Sequence, residues 1–140
     1  MSSVAQLRNE HAELVQIVGE WEVLIDSDTP PPSVALFDVR RRLSSLLIAH
    51  LKAEDWVLYP PLLESDDPDI ARTARRFVDE MGGLAASYSI LMERWDALSI
   101  QADWTHYRKE ARAISQALGN RIVRENRELY PLVERTDRAA

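Results

Sequence analysis

The chain has no cysteine, only four glycines and no long apolar run. Without cysteine, disulfides, iron–sulfur clusters and thiolate metal sites are excluded. There is no glycine-rich phosphate loop, no Ser/His/Asp spacing and no nucleophilic thiol, so a hydrolase or transferase has little support and no catalytic residues are assigned. No segment approaches the roughly 18 apolar residues that a membrane span needs. The N-terminus lacks the charged-then-apolar pattern of a secretory leader. The expectation is a cytoplasmic protein without a membrane partner. Positive charge is not in excess either: 17 Lys and Arg stand against 23 Asp and Glu, for a net charge of -6. That balance argues against a nucleic-acid partner. The clusters Arg40-Arg41-Arg42 and Arg72 to Arg76 read as solvated helical faces.

What is present is a 46% hydrophobic chain of 140 residues, enough for a single core and one domain over 1–140. No alternating strand pattern occurs, whereas helical spacing recurs. Ser2 or Ser3 can cap a first helix that runs to about Asp26, with Leu7, Leu14, Val18, Trp21 and Ile25 on one face. Three prolines at 30–32 end that segment. A second helix is predicted from Ser33 to about Leu63, with Pro60 and Pro61 bending or fraying its last turn. A third runs from about Pro68 to Leu98, with Gly82-Gly83 inside as a kink or a close backbone approach. After a turn at 99–103, Asp103 can cap a fourth helix to about Thr136. The four tryptophans read as core or helix-end packing. Four long helices with short loops predict an all-α, antiparallel up-down-up-down four-helix bundle.

One motif occurs twice. Residues 50–60 read His50-Leu-Lys-Ala-Glu54-Asp-Trp-Val-Leu58-Tyr59-Pro60, and residues 121–131 read Arg121-Ile-Val-Arg-Glu125-Asn-Arg-Glu-Leu129-Tyr130-Pro131. Glu, Leu, Tyr and Pro fall in register, but Arg121 stands where the first copy has His50. Positions i and i+4 share a helix face. The first copy can therefore aim an imidazole and a carboxylate at one point, the second only a carboxylate and a permanent cation. Counting from the expected helix ends at 1.5 Å per residue places His11, His50, Glu54, Met81, Arg121 and Glu125 at one height in the bundle. His106 belongs to the opposite end.

These residues resemble the hemerythrin-like (HHE cation-binding) family of four-helix bundles. The resemblance rests on Glu10-His11, His50-x-x-x-Glu54-Asp55 with Leu58-Tyr59-Pro60, Glu80-Met81, and Arg121-x-x-x-Glu125 with Leu129-Tyr130-Pro131. It implies a di-iron centre in which one iron takes His11 and His50, with Glu54 and Glu125 as bridging carboxylates. It also implies histidines for the second iron at the positions of Met81 and Arg121, where this chain departs. A thioether is a weak ligand, and a guanidinium cannot bind a metal.

Three states follow. A single metal is held by His11, His50, Glu54 and Glu125, with iron, zinc or manganese suited by donor type. Alternatively no metal binds, and Arg121 neutralises Glu54 and Glu125. In the third, two metals survive with an unusual ligand such as Glu80. Tyr59, Tyr130 and Glu80 are candidate supporting residues around the site, and Asp55 and Asn126 read as surface or supporting groups. Reversible oxygen binding as peroxide needs two electrons, one from each iron. The expectation is therefore a non-haem iron or other metal sensor or redox protein that binds a small diatomic ligand, and not an oxygen carrier. The alternative is a metal-free bundle acting through a protein partner or as a homodimer.

Overall fold

Ser3 opens the first helix: its Oγ accepts the Gln6 backbone N–H at 3.1 Å. The structure is a computed structural model that describes residues 3–139, with side chains through 137. The alternative cap, Ser2, lies outside the described residues. Helix α1 spans Val4–Ile25. Behind the prolines, α2 (Ser33–Lys52) passes without a break into a π-helical turn, π1 (Ala53–Leu58), and then into α3 (Tyr59–Leu63). Asp67 caps α4 (Pro68–Met81), and α5 follows over Leu84–Arg94. A short α6 (Ala97–Ala102) leads to α7 (Trp104–Arg124), whose cap Asp103 accepts the His106 N–H at 3.2 Å. A second π-turn, π2 (Glu125–Leu129), precedes α8 (Tyr130–Ala139).

These elements form four rods: α1, α2–π1–α3, α4–α5 and α7–π2–α8. α1 packs on α2 and α7, α5 packs on α7, and α4 packs against α3 and π2. The architecture is the expected all-α bundle. No helix among the described residues is long and apolar enough to cross a membrane.

The third rod departs from the expected continuous helix. It breaks at Gly82-Gly83, where a Cβ on Gly82 would lie 2.5 Å from the Val78 carbonyl oxygen. It stops at Arg94 because Trp95 turns extended and Asp96 starts α6, accepting the Ser99 N–H at 2.8 Å. Two side chains also differ from expectation, one expected in solvent and one expected to pack. Arg40 is buried at 5% exposure, and it donates to the Trp95 carbonyl at 2.8 Å and the Met92 carbonyl at 3.2 Å, the last carbonyls of α5. Trp56 is 71% exposed rather than packed.

The core divides in two. The larger cluster holds Leu14, Trp21, Leu43, Tyr88, Tyr107 and Leu118 among others. The smaller one gathers Val4, Leu7, Tyr59, Phe77, Leu129 and Tyr130 at the other end. A buried polar layer lies between them along each contributing rod. His11 sits between Leu7 and Leu14, and Arg121 and Glu125 sit between Leu118 and Leu129. His50 and Glu54 complete the layer.

Candidate metal centre

Both copies of the doubled motif fold as a π-turn, for the same local reason. Pro60 and Pro131 have no N–H, and in an α-helix each ring would press on the carbonyl four residues back. The helix widens instead: the Tyr59 N–H reaches the Glu54 carbonyl, and the Tyr130 N–H reaches the Glu125 carbonyl, five residues back. In a regular α-helix a residue five places on points about 140° away. The extra residue of the π-turn brings each tyrosine back to its glutamate's side of the bundle.

The two tyrosines then cross. Tyr59 Oη donates to Glu125 Oε2 at 2.6 Å, and Tyr130 Oη donates to Glu54 Oε2 at 2.5 Å. Each rod's phenol thus holds the other rod's carboxylate. Burial, then the neighbouring carboxylate charges, push both phenols above their ordinary value, so they stay protonated donors.

Between these carboxylates stand two imidazoles. His50 Nε2 lies 3.0 Å from Glu54 Oε1, and His11 Nε2 lies 3.2 Å from Glu125 Oε1. Their other nitrogens are engaged: His50 Nδ1 is 2.7 Å from Glu10 Oε1, and His11 Nδ1 is 2.8 Å from Asn126 Oδ1. These contacts fix the rings so that both Nε2 atoms face inward, which is how a metal-binding histidine is oriented from behind. Asn126, expected as a surface or supporting group, stands behind His11 in the supporting position. Tyr130 Oη also lies 3.2 Å from His11 Nε2.

Arg121 fills the remaining side. Its Nε donates to Glu125 Oε2 at 3.1 Å, and its Nη2 donates to Glu54 Oε1 at 3.3 Å and to Asp55 Oδ1 at 2.7 Å. Nη1 donates to the Met81 carbonyl at 3.2 Å, a carbonyl left over where α4 ends at the glycine pair. Burial works against the guanidinium charge, but Glu125, Glu54 and Asp55 outweigh it and hold the proton more firmly than usual.

The two carboxyls are driven apart. Burial and the charge of Glu125 push Glu54 up, against His50 and Arg121. Burial also works on Glu125, but the close His11 imidazole and the Arg121 charge hold it well below the usual carboxylate range. Burial opposes the protonated form of His50, but Glu54 and Glu10 outweigh burial and raise it.

The residues expected at one height therefore meet, except for the Met81 side chain, and the separate candidate Glu80 stays outside. Met81 contributes its backbone carbonyl, while its sulfur lies 3.9 Å from both Asn120 Nδ2 and Arg124 Nη1. Glu80 does not reach the centre: it pairs with Arg124, and its side chain is 48% exposed. His106 lies in the first turn of α7, beside Asp103 and Glu110, as its height implies.

His11, His50, Glu54 and Glu125 can each offer one donor atom within 4.8 Å of all the others. Opposite ligands of a cation bound at about 2.1–2.3 Å lie about 4.2–4.6 Å apart, so the four need to close by only a few tenths of an ångström. Two atoms of the set, His50 Nε2 and Glu125 Oε1, are buried with no hydrogen bond of acceptable direction. Each has only a poorly directed contact, with Glu54 and with His11, and buried polar atoms in native structures are normally completed by a protein group, an ion or a water. The donor set, two imidazoles and two carboxylates, fits a divalent transition metal.

Comparison with known proteins gives one finding. No curated protein and no solved structure matches the chain. The family profile described as the hemerythrin HHE cation-binding domain matches residues 2–133. That span takes in both copies of the doubled motif and every residue of the buried polar layer, and it places the chain in the hemerythrin HHE cation-binding family.

Proposed function

We propose that this chain binds one divalent metal ion, through His11, His50, Glu54 and Glu125, and serves as a non-haem metal sensor or redox protein rather than a reversible oxygen carrier. The observation that carries this reading is the buried four-residue cluster itself, in which His50 Nε2 and Glu125 Oε1 lie close to Glu54 and His11 without a hydrogen bond of acceptable direction. Iron is the first candidate by family, and zinc and manganese suit the same donors. Such an ion supplies Lewis acidity and, if iron, a single-electron change. The chain's own residues supply the rest. Glu10 and Asn126 hold the imidazoles from behind, Tyr59 and Tyr130 hold the carboxylates, and Arg121 occupies the side where a second ion would need a ligand. A small diatomic molecule is the expected ligand, and the expected location is cytoplasmic.

Elemental analysis of protein purified without a metal-affinity step tests this. One iron or zinc per chain is expected. Two per chain, or none after ferrous iron is offered anaerobically, would overturn it. So would a reversible oxygenated spectrum at two irons per chain.

Arg121 favours a second reading, in which the layer is structural, no metal binds and the bundle works through a protein partner or as a homodimer. Its guanidinium already bridges Glu54 and Glu125. On this reading EDTA leaves the melting temperature unchanged. On either reading Arg121→Ala in metal-free protein costs about 3–5 kcal/mol, because two buried carboxylates lose their cation. Unfolding of the protein by chelation would exclude the metal-free reading.

A further inference from the structure

A cavity of about 200 Å³ opens between α2–π1 and α5. Its wall is mostly apolar, with Ile48, Leu51, Trp56, Ala85 and Tyr88, and Asp55 is its carboxylate. Leu51 is buried at the inner end, while Ile48 and Trp56 are exposed at the outer end. Lys52 also stays in solvent, its Nζ 5.4 Å from the centroid of the Trp56 ring. An indole left open beside an apolar cavity is the informative kind of exposure, since packing normally covers it.

Asp55 joins this cavity to the buried layer. Its Oδ1 accepts from Arg121 Nη2 at 2.7 Å, and the same Nη2 lies 3.3 Å from Glu54 Oε1. Arg121 Nε reaches Glu125 Oε2 at 3.1 Å. One ion pair thus separates the cavity from the two carboxylates. A second groove, about 280 Å³ and lined by Met81, Gly83 and Leu84, lies on the other flank of Arg121. There Arg121 is tied to a backbone carbonyl, which has no rotamer to swing. Asp55 has a side chain that can turn aside.

The geometry points to the cavity between α2–π1 and α5 as the access pocket through which small, neutral, apolar molecules reach the buried centre, with the Asp55–Arg121 ion pair as its inner gate. This rests on the reading of the polar layer as a binding centre and adds the class of molecule and its route. Size sets one limit: apolar cavities of roughly 150 Å³ accept xenon or benzene, whereas drug-sized ligands need about 300–1,000 Å³. Charge sets the other. The carboxylate in the wall is already answered by Arg121, so a cation would be stripped of water with no counter-ion left for it. The Lys52 ammonium stays at the solvent-exposed rim, where an anion can meet it without entering the apolar interior.

Xenon-pressurised amide and indole NMR of the metal-free full chain tests the pocket and the gate. In the wild type, xenon-induced shifts are expected at Ile48, Leu51, Ala85 and the Trp56 indole, and not at Glu54 or Arg121. Ala85→Leu should abolish them by filling the space. Asp55→Asn should extend them to Glu54, Tyr59 and Arg121, and Asp55→Ser is the second gate variant should the first not fold. Absence of a wild-type response at the cavity overturns the pocket, and an unchanged pattern in the Asp55 variants overturns the gate. No metal takes part in this readout. A chain that proves to bind no metal therefore still decides the pocket, and a metal-loaded chain without a xenon response loses the route but keeps its metal site.

Discussion

At the scale of single residues, Arg121 sets the character of the centre. It lies four residues before Glu125, where the first motif copy carries His50, and it faces three carboxylates: Glu54, Asp55 and Glu125. Its proton is held so firmly that no accessible pH releases it. The groups that titrate are its neighbours, and their signs can be worked out for the metal-free protein. Glu54 and His50 are raised on folding. Each contributes stability that is fully present below its unfolded value, about 4.3 for Glu and about 6.5 for His, and that is lost as pH rises through the folded value. Glu125 is lowered, so its contribution is present above about pH 4.3 and is lost only as pH falls through its depressed folded value. The melting temperature in EDTA should therefore fall from about pH 5 to about pH 8, while the increment from added metal grows, because the ion must displace the His50 proton. Thermal melts across that range, with and without metal, measure both slopes, and a flat EDTA profile would contradict the assignment. The substitution at 121 was legible because the motif is doubled and its copies can be compared. Arg40 was misread within a run of three arginines, although Leu36, Arg40, Leu43 and Leu47 keep the spacing of one buried stripe. The polar head obscured a core position that the spacing marks.

At the scale of elements, the two π-turns build the site. Counting at 1.5 Å per residue put His11, His50, Glu54, Met81, Arg121 and Glu125 at one height, and of these only the Met81 side chain stays out of the layer. Counting in α-helical turns cannot place Tyr59 and Tyr130, because it turns a residue five places on away from its glutamate. The available signal was the proline after each tyrosine, which marks a helix that must widen or bend. The end of the third helix was lost for another reason. Gly82-Gly83 breaks the rod through a close approach to the Val78 carbonyl, and Asp96 caps a new helix that sequence periodicity runs straight through. The crossed phenols carry the element-scale prediction. Tyr59→Phe and Tyr130→Phe each leave a buried carboxylate oxygen short of a donor and should cost about 1–3 kcal/mol in denaturant unfolding. Because Glu125 and Glu54 act on one another, the double variant should depart from the sum of the singles by about 0.5 kcal/mol or more. Strict additivity would mean that the two hydrogen bonds are independent and the crossing has no energetic content.

At the scale of the whole molecule, the bundle is two apolar cores separated by a layer of buried charge. Both cores are closed by ordinary side-chain packing, so the layer is where the fold departs from what hydrophobic burial alone would select. Without a metal, three carboxylates face one guanidinium, and the balance must come from protons on Glu54 and His50. That arrangement folds, but it leaves His50 Nε2 and Glu125 Oε1 with close charged neighbours, Glu54 and His11, and no hydrogen bond of acceptable direction. A divalent ion in the layer answers the carboxylates and takes His50 Nε2 and Glu125 Oε1 together, and it does so only in the folded chain, where the three rods that carry its ligands meet. Binding to the folded state alone stabilises by about 2.7 kcal/mol at one hundred times the dissociation constant. For a domain near this size each kcal/mol moves the midpoint by roughly 2–4 °C, so metal should raise the melting temperature by roughly 5–10 °C at neutral pH, and EDTA should reverse it. His50→Ala should remove this response while leaving Arg121 in place between the two glutamates. A wild type indifferent to metal would instead assign the layer to Arg121 alone, and the four-residue cluster would then mark a site that has lost its ion but kept the ligands' positions.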